Sequence, residues 1–569
     1  MKNYSIPIFI AVLLAVWGCL PSRGGKSSSK IASDSLTIAQ GKELFIQNCS
    51  ACHNFRQRGI GPNLAGVTVT ESTEWLASFI ANSPQMVSAG DPRAVELFKE
   101  FKIPMPPFPT LGENNIAALI AYMHTFADDT AHGPAMGTAL KNPVPTPIVS
   151  SGITLSAEYF ARVPATAELP PVARINKMAP MPGTDRLLIH DLRGKLYEIT
   201  GDTVSLYMDF PKLREKFIDK PGLGTGLGSF AFHPDFLSNG LFYTTHTEPA
   251  GTSPADFDYE DSIGVTLQWV LTEWTQKDPA ATRFSGQGRE LMRVDMVTGI
   301  HGFQDLNFNP LAVRGSAEYG ILYLGIGDGG ATGEGYDFIC HDRKRIWGSV
   351  IRINPAGNNS RNGKYGVPPD NPFVAEKDSE VVKEIFVYGF RNPHRTSWDP
   401  LTRKMLITDI GQSSIEEINL AVPGGDFGWN TREGTFALNP EKIDSVYSLP
   451  ADDNRDSYVY PVAQFDHSEG RAISGGYVYR GENIPVLRGK YIFGDVVSGR
   501  LMMTDADALH QGNQAEIKEL SFEAEGKKQN LEELTGNKRV DLRFGQDNKG
   551  ELYIFTKADG RIWKITGAR

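Results

Sequence analysis

Apolar residues recur with a helical period in two segments near the start of the chain. In the segment ENNIAALIAYMHTF, Ile116, Leu119, Ile120 and Met123 stand at positions i, i+3, i+4 and i+7, which places them on one face of a helix. The earlier segment IAQGKELFIQN, from Ile38, has apolar residues at positions compatible with a short helix that packs on a partner. These patterns predict a small all-α domain over residues 33–127.

The rest of the chain shows strand patterns instead. Short runs rich in Leu, Ile, Tyr and Phe stand beside Gly/Asp turns at six places: KLYEITGD near 196, LFYTTHT near 241, ILYLGIGDGG near 321, MLITDIGQ near 405, YIFGDVVSGRLMMTD near 491 and LYIFTKADGRIWKI near 552. One run in roughly 70 residues fits a four-stranded blade with its loops. Radial repetition of small sheets is therefore favoured over a sandwich or an α/β fold. The predicted fold class is multidomain: an all-α domain followed by an all-β six-bladed β-propeller over residues 153–569.

Residues 128–152, between the two predicted domains, have no apolar period and end in a Pro-rich stretch. A semi-rigid linker has this composition. We therefore expect the domain boundary to fall within this segment.

The N-terminus carries an apolar run from Ile6 to Trp17 that is too short to span a membrane, because a helix needs about 20 apolar residues to do so. A run of this length suits a secretory signal. Its end, AVWGC, resembles a bacterial lipobox with Cys19 as the residue to be acylated. We expect a signal over 1–19, a flexible tether over 20–32, and an exported periplasmic protein anchored to the membrane through Cys19. An ordinary cleaved signal with an incidental cysteine is the alternative.

Length sets the expected number of domains, and net charge limits the kinds of partner. A chain of 569 residues is too long for one average domain. It carries 57 Lys and Arg against 67 Asp and Glu, a net charge of -10, and has no Lys/Arg-rich run. The summed field would repel phosphate backbones, so nucleic acid is not an expected partner.

The stretch NCSACHNF holds two of the four cysteines in the chain. A Cys-x-x-Cys pair in an exported protein could be a redox disulfide, half of a zinc site or a haem anchor. His53 directly follows Cys52, so Cys49 and Cys52 can bond the haem vinyl groups while the imidazole meets the iron. A zinc site would need two more ligands at similar spacing, and none stands nearby. Cys340 stands alone and is expected to be a buried apolar residue.

The segments GKELFIQNCSACH, GPNLAGV and IPMPPFPTLGENNIAALIAYMHTF closely resemble a class I cytochrome c. This resemblance implies a covalent haem c with a methionine as second axial ligand, supplied by a Pro-flanked loop before the last helix. Met105 matches that position. Met86 stands too early for the loop, and Met123 lies on the apolar face of the predicted helix. With both axial positions filled, such a domain carries electrons and makes no product.

Four segments of the predicted propeller resemble the glucose/sorbosone dehydrogenase family of pyrroloquinoline quinone enzymes: SFAFHPDF from 229, GFRNPHR from 389, IEEINLAVPGGDFGW from 415 and YIFGDVVSGRL from 491. The last is especially similar to the hedgehog-interacting-protein-like branch. The resemblance spans nearly all of residues 155–567. It implies a sugar dehydrogenase that uses pyrroloquinoline quinone and calcium.

The resemblance also implies roles for individual residues. His301 matches the histidine that takes the proton from the sugar hydroxyl as hydride passes to the quinone. Arg391 and Asn392 match the pair that contacts quinone and substrate, and Gly411 and Gln412 match the positions whose backbone carbonyls hold calcium. The structural alternatives are a histidine that only bonds a neighbouring turn and an arginine that only ties blades together.

Several positions depart from the family pattern. The family's glutamine before the FAFHPDF strand is Gly224 here, and its aspartate before the catalytic histidine is Ile300. Its quinone-binding lysine aligns near Val497, beside Arg500. The arginine pair near the end of the family pattern falls at residues 538–539, a lysine and an arginine.

Two functions remain open from the sequence. The first is an enzyme that oxidises a sugar or alcohol and passes electrons through the fused haem to a downstream redox protein or respiratory chain. A tethered haem acts at an effective concentration in roughly the millimolar range, which favours this function. The second is a propeller without quinone that binds a carbohydrate or protein, and the departures from the family pattern favour it.

Overall fold

The structure is a computed structural model that describes residues 31–50, 52–53, 55, 61–127, 138–222, 224–260, 263–439, 442–450, 453 and 457–569. The predicted signal over 1–19, with Cys19, and nearly all of the tether over 20–32 lie outside the described residues. The first part of the predicted linker, residues 128–137, does so too. Within the described ranges, no helix is long and apolar enough to cross a membrane.

Five helices form the first domain: α1 Ser35–Asn48, α2 Val67–Thr70, α3 Thr73–Ser88, α4 Pro92–Phe101 and α5 Gly112–His124. Side-chain caps fix where they begin. The Asp34 carboxylate accepts the Thr37 N–H at 2.9 Å, and Asp91 accepts the Ala94 N–H at 2.9 Å, so donors that have no partner within the helix are satisfied.

The core of this domain lies between α1, α3 and α5. The buried residues of α5 include the four predicted to share one face, Ile116, Leu119, Ile120 and Met123, which confirms the amphipathic helix. They pack with Phe45 of α1 and with α3. The domain is therefore built on the helical pattern that the sequence shows.

Strands fill the rest of the chain, with two short helices, α6 Phe236–Asn239 and α7 Leu531–Thr535. The first strands are β1 Val149–Arg162, β2 Ile175–Pro180, β3 Leu187–Asp191, β4 Lys195–Thr200, β5 Thr203–Asp209, β6 Leu227–Phe232, β7 Leu241–Pro249, β8 Leu267–Gln276, β9 Gly286–Met296, β10 Phe303–Phe308, β11 Leu322–Ile326, β12 Ser349–Ile353, β13 Ile385–Tyr388 and β14 Pro393–Trp398. The others are β15 Met405–Asp409, β16 Ile415–Leu420, β17 Arg432–Glu433, β18 Phe436–Asn439, β19 Lys442–Tyr447, β20 Ala463–Asp466, β21 Tyr477–Val478, β22 Lys490–Gly494, β23 Leu501–Asp505, β24 Lys518–Ala524, β25 Lys527–Lys528, β26 Leu542–Gln546, β27 Leu552–Thr556 and β28 Arg561–Ala568. Each of the six predicted strand runs overlaps at least one of these strands.

The strands pair mainly with their neighbours in sequence. Three sheets have four strands each, β6 to β9, β10 to β13, and β14-β15-β16-β20, and one small sheet holds β17 to β19. The largest sheet has 13 strands and runs from β21 through β24, β1 and β28 to β5. In it, β1 pairs antiparallel with β28, so the first and last strands of the β domain lie side by side. The coarse prediction of an α-helical domain followed by a large β domain is confirmed, and six blades stay a prediction.

Several buried apolar clusters hold these sheets together. Cys340 is 2% exposed within the largest of them, as predicted for a structural cysteine. The predicted site residues of the β domain lie on segments that connect its strands.

Candidate active site and haem centre

The Cys-x-x-Cys-His segment forms a turn directly after α1. The N–H groups of Cys52 and His53 donate to the Cys49 carbonyl at 3.0 and 2.9 Å. His53 Nδ1 lies 3.0 Å from the Pro62 carbonyl oxygen. Because a carbonyl only accepts, Nδ1 carries the proton and Nε2 holds the lone pair that a haem iron would bind.

The chain passes close to the His53 ring at Gly61. A β-carbon at that position would overlap the ring, so the glycine in GIGPNL permits the close approach. Burial lowers the pKa of His53, which favours the neutral form that binds a metal. Cys49 and Cys52 are not joined in a disulfide, and burial raises the pKa of the Cys49 thiol to about 12. These residues fit a haem attached through Cys49 and Cys52.

Met105 lies in the loop between α4 and α5, where the resemblance places the second axial ligand. The Ser83 hydroxyl donates to the Met105 carbonyl at 2.6 Å and fixes the loop against α3. Met105 is half-buried beside the domain core, whereas Met123 is buried within it and Met86 belongs to α3. The loop position fits the assignment of Met105 as ligand.

A cavity of about 210 Å³ is lined mainly by residues of the β domain. It brings together all the site residues predicted there: His301, Arg391, Asn392, Gly411 and Gln412. They come from three separate loops, after β9, between β13 and β14, and between β15 and β16. These residues are spread over more than a hundred positions of the sequence, and the fold brings them to one cavity.

His301 forms a hydrogen-bonded pair with Asp328, a residue that sequence analysis missed. His301 Nδ1 lies 2.7 Å from Asp328 Oδ1. Asp328 also accepts the Gly330 N–H at 2.8 Å and the Trp429 Nε1–H at 3.2 Å, which hold the carboxylate in place. Since the carboxylate only accepts, His301 Nδ1 is protonated and Nε2 can take a proton.

The local backbone holds His301 in an uncommon conformation, with φ of 51°. A β-carbon at Gly327 would overlap the His301 backbone, so the glycine in GIGDGG allows the two segments to meet. That glycine, directly before Asp328, is the sequence signal that could have identified the aspartate. Burial and the nearby Arg391 lower the pKa of His301, against the opposing effect of Asp328.

Arg391 is buried and fixed at two edges of its guanidinium. Nε donates to Gln412 Oε1 at 2.6 Å and Nη1 donates to the Ile410 carbonyl at 3.1 Å. The guanidinium carbon lies 5.9 Å from the centre of the Trp429 ring. The Asp409 carboxylate accepts the backbone N–H of Arg391 at 3.0 Å and that of Asn392 at 2.6 Å. The planar cation is thereby held at the cavity wall.

The family model described as Glucose / Sorbosone dehydrogenase matches residues 173–564. The chain belongs to this family. A second match, to Cytochrome c, covers residues 38–127 and gives the helical domain its family. Both resemblances drawn from the sequence motifs are confirmed.

Some curated relatives are named as dehydrogenases, and others carry names that state no enzyme activity. The chain is 26% identical over 379 residues to the HIPL1 protein of Arabidopsis thaliana (58% of this chain, 52% of that protein) and 26% identical over 396 residues to human Hedgehog-interacting protein (67% and 49%). It is 28% identical over 250 residues to quinoprotein glucose dehydrogenase B of Acinetobacter calcoaceticus (42% and 46%). The chain thus spans about half the length of the curated relatives it matches.

Among solved structures, the apo-form of the soluble aldose sugar dehydrogenase of Escherichia coli superposes with a TM-score of 0.50 at 18% identity. The match covers 73% of this chain and 99% of that one. At this identity the likeness concerns the fold alone.

Among the described residues of this glucose/sorbosone dehydrogenase family member, one buried oxygen at the cavity lacks a hydrogen-bond partner. Asn392 Oδ1 is inaccessible to solvent, and none of the described residues donates a hydrogen bond to it. A neutral amide oxygen suits a ligand that donates a hydrogen bond or a hard cation such as calcium. Within the described part of the chain, no group of three or more His, Cys, Asp and Glu is arranged to hold a metal.

The cavity wall carries an excess of cations. Of the described residues that line it, four are arginines and one is a lysine, Arg391, Arg471, Arg539, Arg543 and Lys557, against three carboxylates, Asp328, Glu334 and Asp541. Burial lowers the pKa of Arg543 to about 9, and burial with the neighbouring Arg543 lowers that of Lys557. An anionic ligand would stabilise the charged forms of both, so the wall fits a quinone that carries carboxylates.

Of the cations that the family pattern indicated, Arg539 lines the cavity, whereas Arg500 and Lys538 do not. Arg500 pairs instead with Glu519 and Glu469, and Lys538 is 70% exposed and pairs with Glu532. Arg471, Arg543 and Lys557 were missed, because no motif marks them in the sequence. At Gly224, Ile300 and Val497 the wall lacks the polar side chains of the family pattern, as the comparison of the sequence with that pattern indicated.

The same cavity reaches the cytochrome c domain. Ser50, Cys52 and His53 line it together with His301 and Arg391. Arg539 Nη1 lies 3.6 Å from Cys52 Sγ. The haem-attachment segment and the candidate active site therefore share one space.

Proposed function

We propose that this protein oxidises a sugar or alcohol at a pyrroloquinoline quinone held in the cavity and passes the electrons to the haem of its cytochrome c domain. The observation that carries the proposal is the shared cavity: a His301–Asp328 pair and Arg391 line it together with Cys52 and His53. When bound, the quinone would supply an acceptor for hydride, and the haem would carry electrons away singly. The final recipient would be a downstream redox protein or the respiratory chain.

His301 acts as the general base in this proposal. Its Nε2 takes the proton of the substrate hydroxyl, and the O–H electrons form the new carbonyl as hydride leaves the same carbon. Asp328 is a positioning residue, because it keeps the proton on Nδ1 and stabilises the imidazolium that forms. Exclusion of water by the buried wall strengthens both interactions.

Arg391 supplies a fixed positive charge where negative charge develops on the acceptor. Arg471, Arg543 and Lys557 would hold the carboxylates of the quinone. Asn392 Oδ1 and the backbone carbonyls of residues 411–412 would bind calcium, which accepts neutral oxygen ligands.

We also propose that the β domain has six blades, supported by its three four-stranded sheets and by the pairing of its first and last strands.

A second function has its own support. Gly224, Ile300 and Val497 leave the cavity wall without the polar groups of the family pattern, and relatives include a protein named for interaction with Hedgehog. In this alternative the β domain binds a carbohydrate or protein, and the haem serves another redox partner.

Substrate-dependent haem reduction separates the two functions. Full-length protein carrying haem, loaded with calcium and pyrroloquinoline quinone, is mixed with a panel of aldoses and alcohols while the haem absorbance is followed. We expect reduction with at least one substrate, at a rate per molecule independent of protein concentration because the haem is tethered. Protein without quinone is the control. Failure of the whole panel would favour the binding function.

Replacement of the second axial ligand tests the haem assignment. Met105→Ala should lower the haem reduction potential, because a thioether ligand favours ferrous iron. Axial ligands set haem potentials over a range of about 0.8 V, so the shift should be readily measured by redox titration. Met86→Ala is the matched control and should leave the potential unchanged. The reverse result would place the ligand at Met86.

Export and anchoring complete the proposal. A cytochrome c domain joined to this dehydrogenase family suggests a periplasmic protein. We infer that a lipid on Cys19 attaches it to the membrane, on the basis of the AVWGC motif.

A further inference from the structure

The two domains contact each other through cations and apolar side chains of the β domain. Arg471 Nη2 donates to the Phe101 carbonyl at the end of α4, at 2.9 Å. Beside it, Ile103 packs against a small apolar cluster formed by Ala472, Val496 and Val497. These contacts hold the cytochrome c domain against the cavity mouth.

A third contact reaches the haem-attachment segment itself. Arg539 Nη1 lies 3.6 Å from Cys52 Sγ, and Nε of the same guanidinium lies 3.2 Å from Asp541 Oδ1. The carboxylate fixes one edge of the guanidinium and leaves the other directed at the sulfur. The Arg539 side chain is 29% exposed, so water screens its charge only in part.

A cation at this sulfur would act on a haem attached there. With the Cys52 sulfur bonded to the haem, a charge beside the sulfur would lie close to it. Oxidised haem carries one more positive charge than reduced haem, and a neighbouring cation therefore destabilises the oxidised form. Hydrogen bonds and charge around a haem are among the means by which a protein raises its potential.

We propose that Arg539 is a positioning and tuning residue through which the β domain raises the reduction potential of the haem on the cytochrome c domain. The inference rests on the haem of the proposed function and does not need its quinone. A higher potential makes the haem a better acceptor, so docking of the two domains would itself favour electron flow away from the active site. A separated cytochrome c domain would lack this cation.

Redox titration of the full-length haem protein without quinone tests the inference. Arg539→Gln should lower the haem potential, because it removes the cation and keeps a polar side chain of similar reach. Arg539→Lys retains the charge and should keep most of the wild-type potential. Lys538→Gln is the matched control: it removes a cation one residue away that is 70% exposed and paired with Glu532, and it should leave the potential unchanged.

Three results would overturn the inference: an unchanged potential in Arg539→Gln, an equal fall in the lysine and glutamine variants, or an equal fall in Lys538→Gln. An unchanged potential together with weaker quinone-dependent reduction would show that Arg539 serves the quinone instead. The absorbance spectrum verifies that each variant carries its haem. A fall in potential in a protein that no sugar or alcohol reduces would uphold this inference and reject the proposed dehydrogenase activity, so the two can fail separately.

Discussion

His301→Gln is expected to lower the turnover of substrate-dependent haem reduction by about 10²–10⁴-fold, the usual contribution of a positioned general base. Glutamine approximates the size and hydrogen-bonding capacity of the imidazole but cannot take up a proton. The haem spectrum and potential should stay at wild-type values, because burial keeps His301 neutral and a glutamine in its place leaves the charge near the haem unchanged. Stopped-flow absorbance with saturating substrate measures the effect. Turnover within a few-fold of wild type would leave His301 as a structural residue that only bonds Asp328.

The pH profile gives an independent test of the same base. Burial and Arg391 hold the pKa of His301 below its usual value near 6.5. The base works when neutral, so kcat/KM should be level above about pH 6.5 and fall as the pH drops through this lowered pKa. Asp328→Asn removes the carboxylate that opposes the shift. The acidic limb should then move to still lower pH while turnover also falls, and a move to higher pH would contradict the assigned pair.

The sequence alone suffices to name most residues of the proposed haem centre, because they are contiguous, and to predict the helix beside them, because it obeys a helical period. Cys49, Cys52 and His53 lie within five residues, and the apolar face of α5 follows from a local repeat. Covalent spacing and helix period are properties of the chain itself, so no tertiary knowledge is needed. Met105 required the resemblance, since many residues separate it from the motif.

The candidate active site was predicted only in part, because strand pairing decides which loops meet. His301 and Arg391 follow from the family motifs, but Asp328 lies 27 residues beyond His301 and reaches it through the pairing of β10 with β11. The cations Arg471 and Arg543 have no local signature. Whether an arginine faces a cavity or the surface depends on strand register, where a shift of one residue reverses its direction.

The contact between the domains was beyond sequence reasoning for a different reason. The sequence shows a Pro-rich linker and allows any relative placement of the two units. The structure joins them through Arg471 and Arg539, whose partners are a backbone carbonyl and a sulfur. Neither a backbone carbonyl nor a cysteine sulfur is a charged group, so no complementary charge in the sequence points to these contacts.

Arg391→Lys is expected to lower turnover by roughly 10²–10³-fold, comparable with removal of one donor from a preorganised electrostatic site. The charge survives this substitution, so a loss would show that the geometry of the guanidinium is required. Arg391 binds Gln412 Oε1 through Nε and the Ile410 carbonyl through Nη1, and these two bonds fix the plane of a guanidinium that lines the cavity. An ammonium is a point charge on a flexible stem and cannot form both bonds while presenting a planar face.

The control for this variant is Arg561→Lys, at the start of β28, where the arginine lies near Asp559 and away from the cavity. It should keep wild-type turnover.

Thermal unfolding of Arg391→Lys distinguishes the catalytic from the structural role of Arg391. If the arginine only ties neighbouring loops together, the lysine variant should lose stability in proportion to the two missing bonds, about 0.5–1.5 kcal/mol each or somewhat more for a charged donor, and retain its turnover. If Arg391 stabilises charge in the reaction, turnover should fall at temperatures where the variant remains fully folded, because the lost donors act on the reacting groups rather than on the fold.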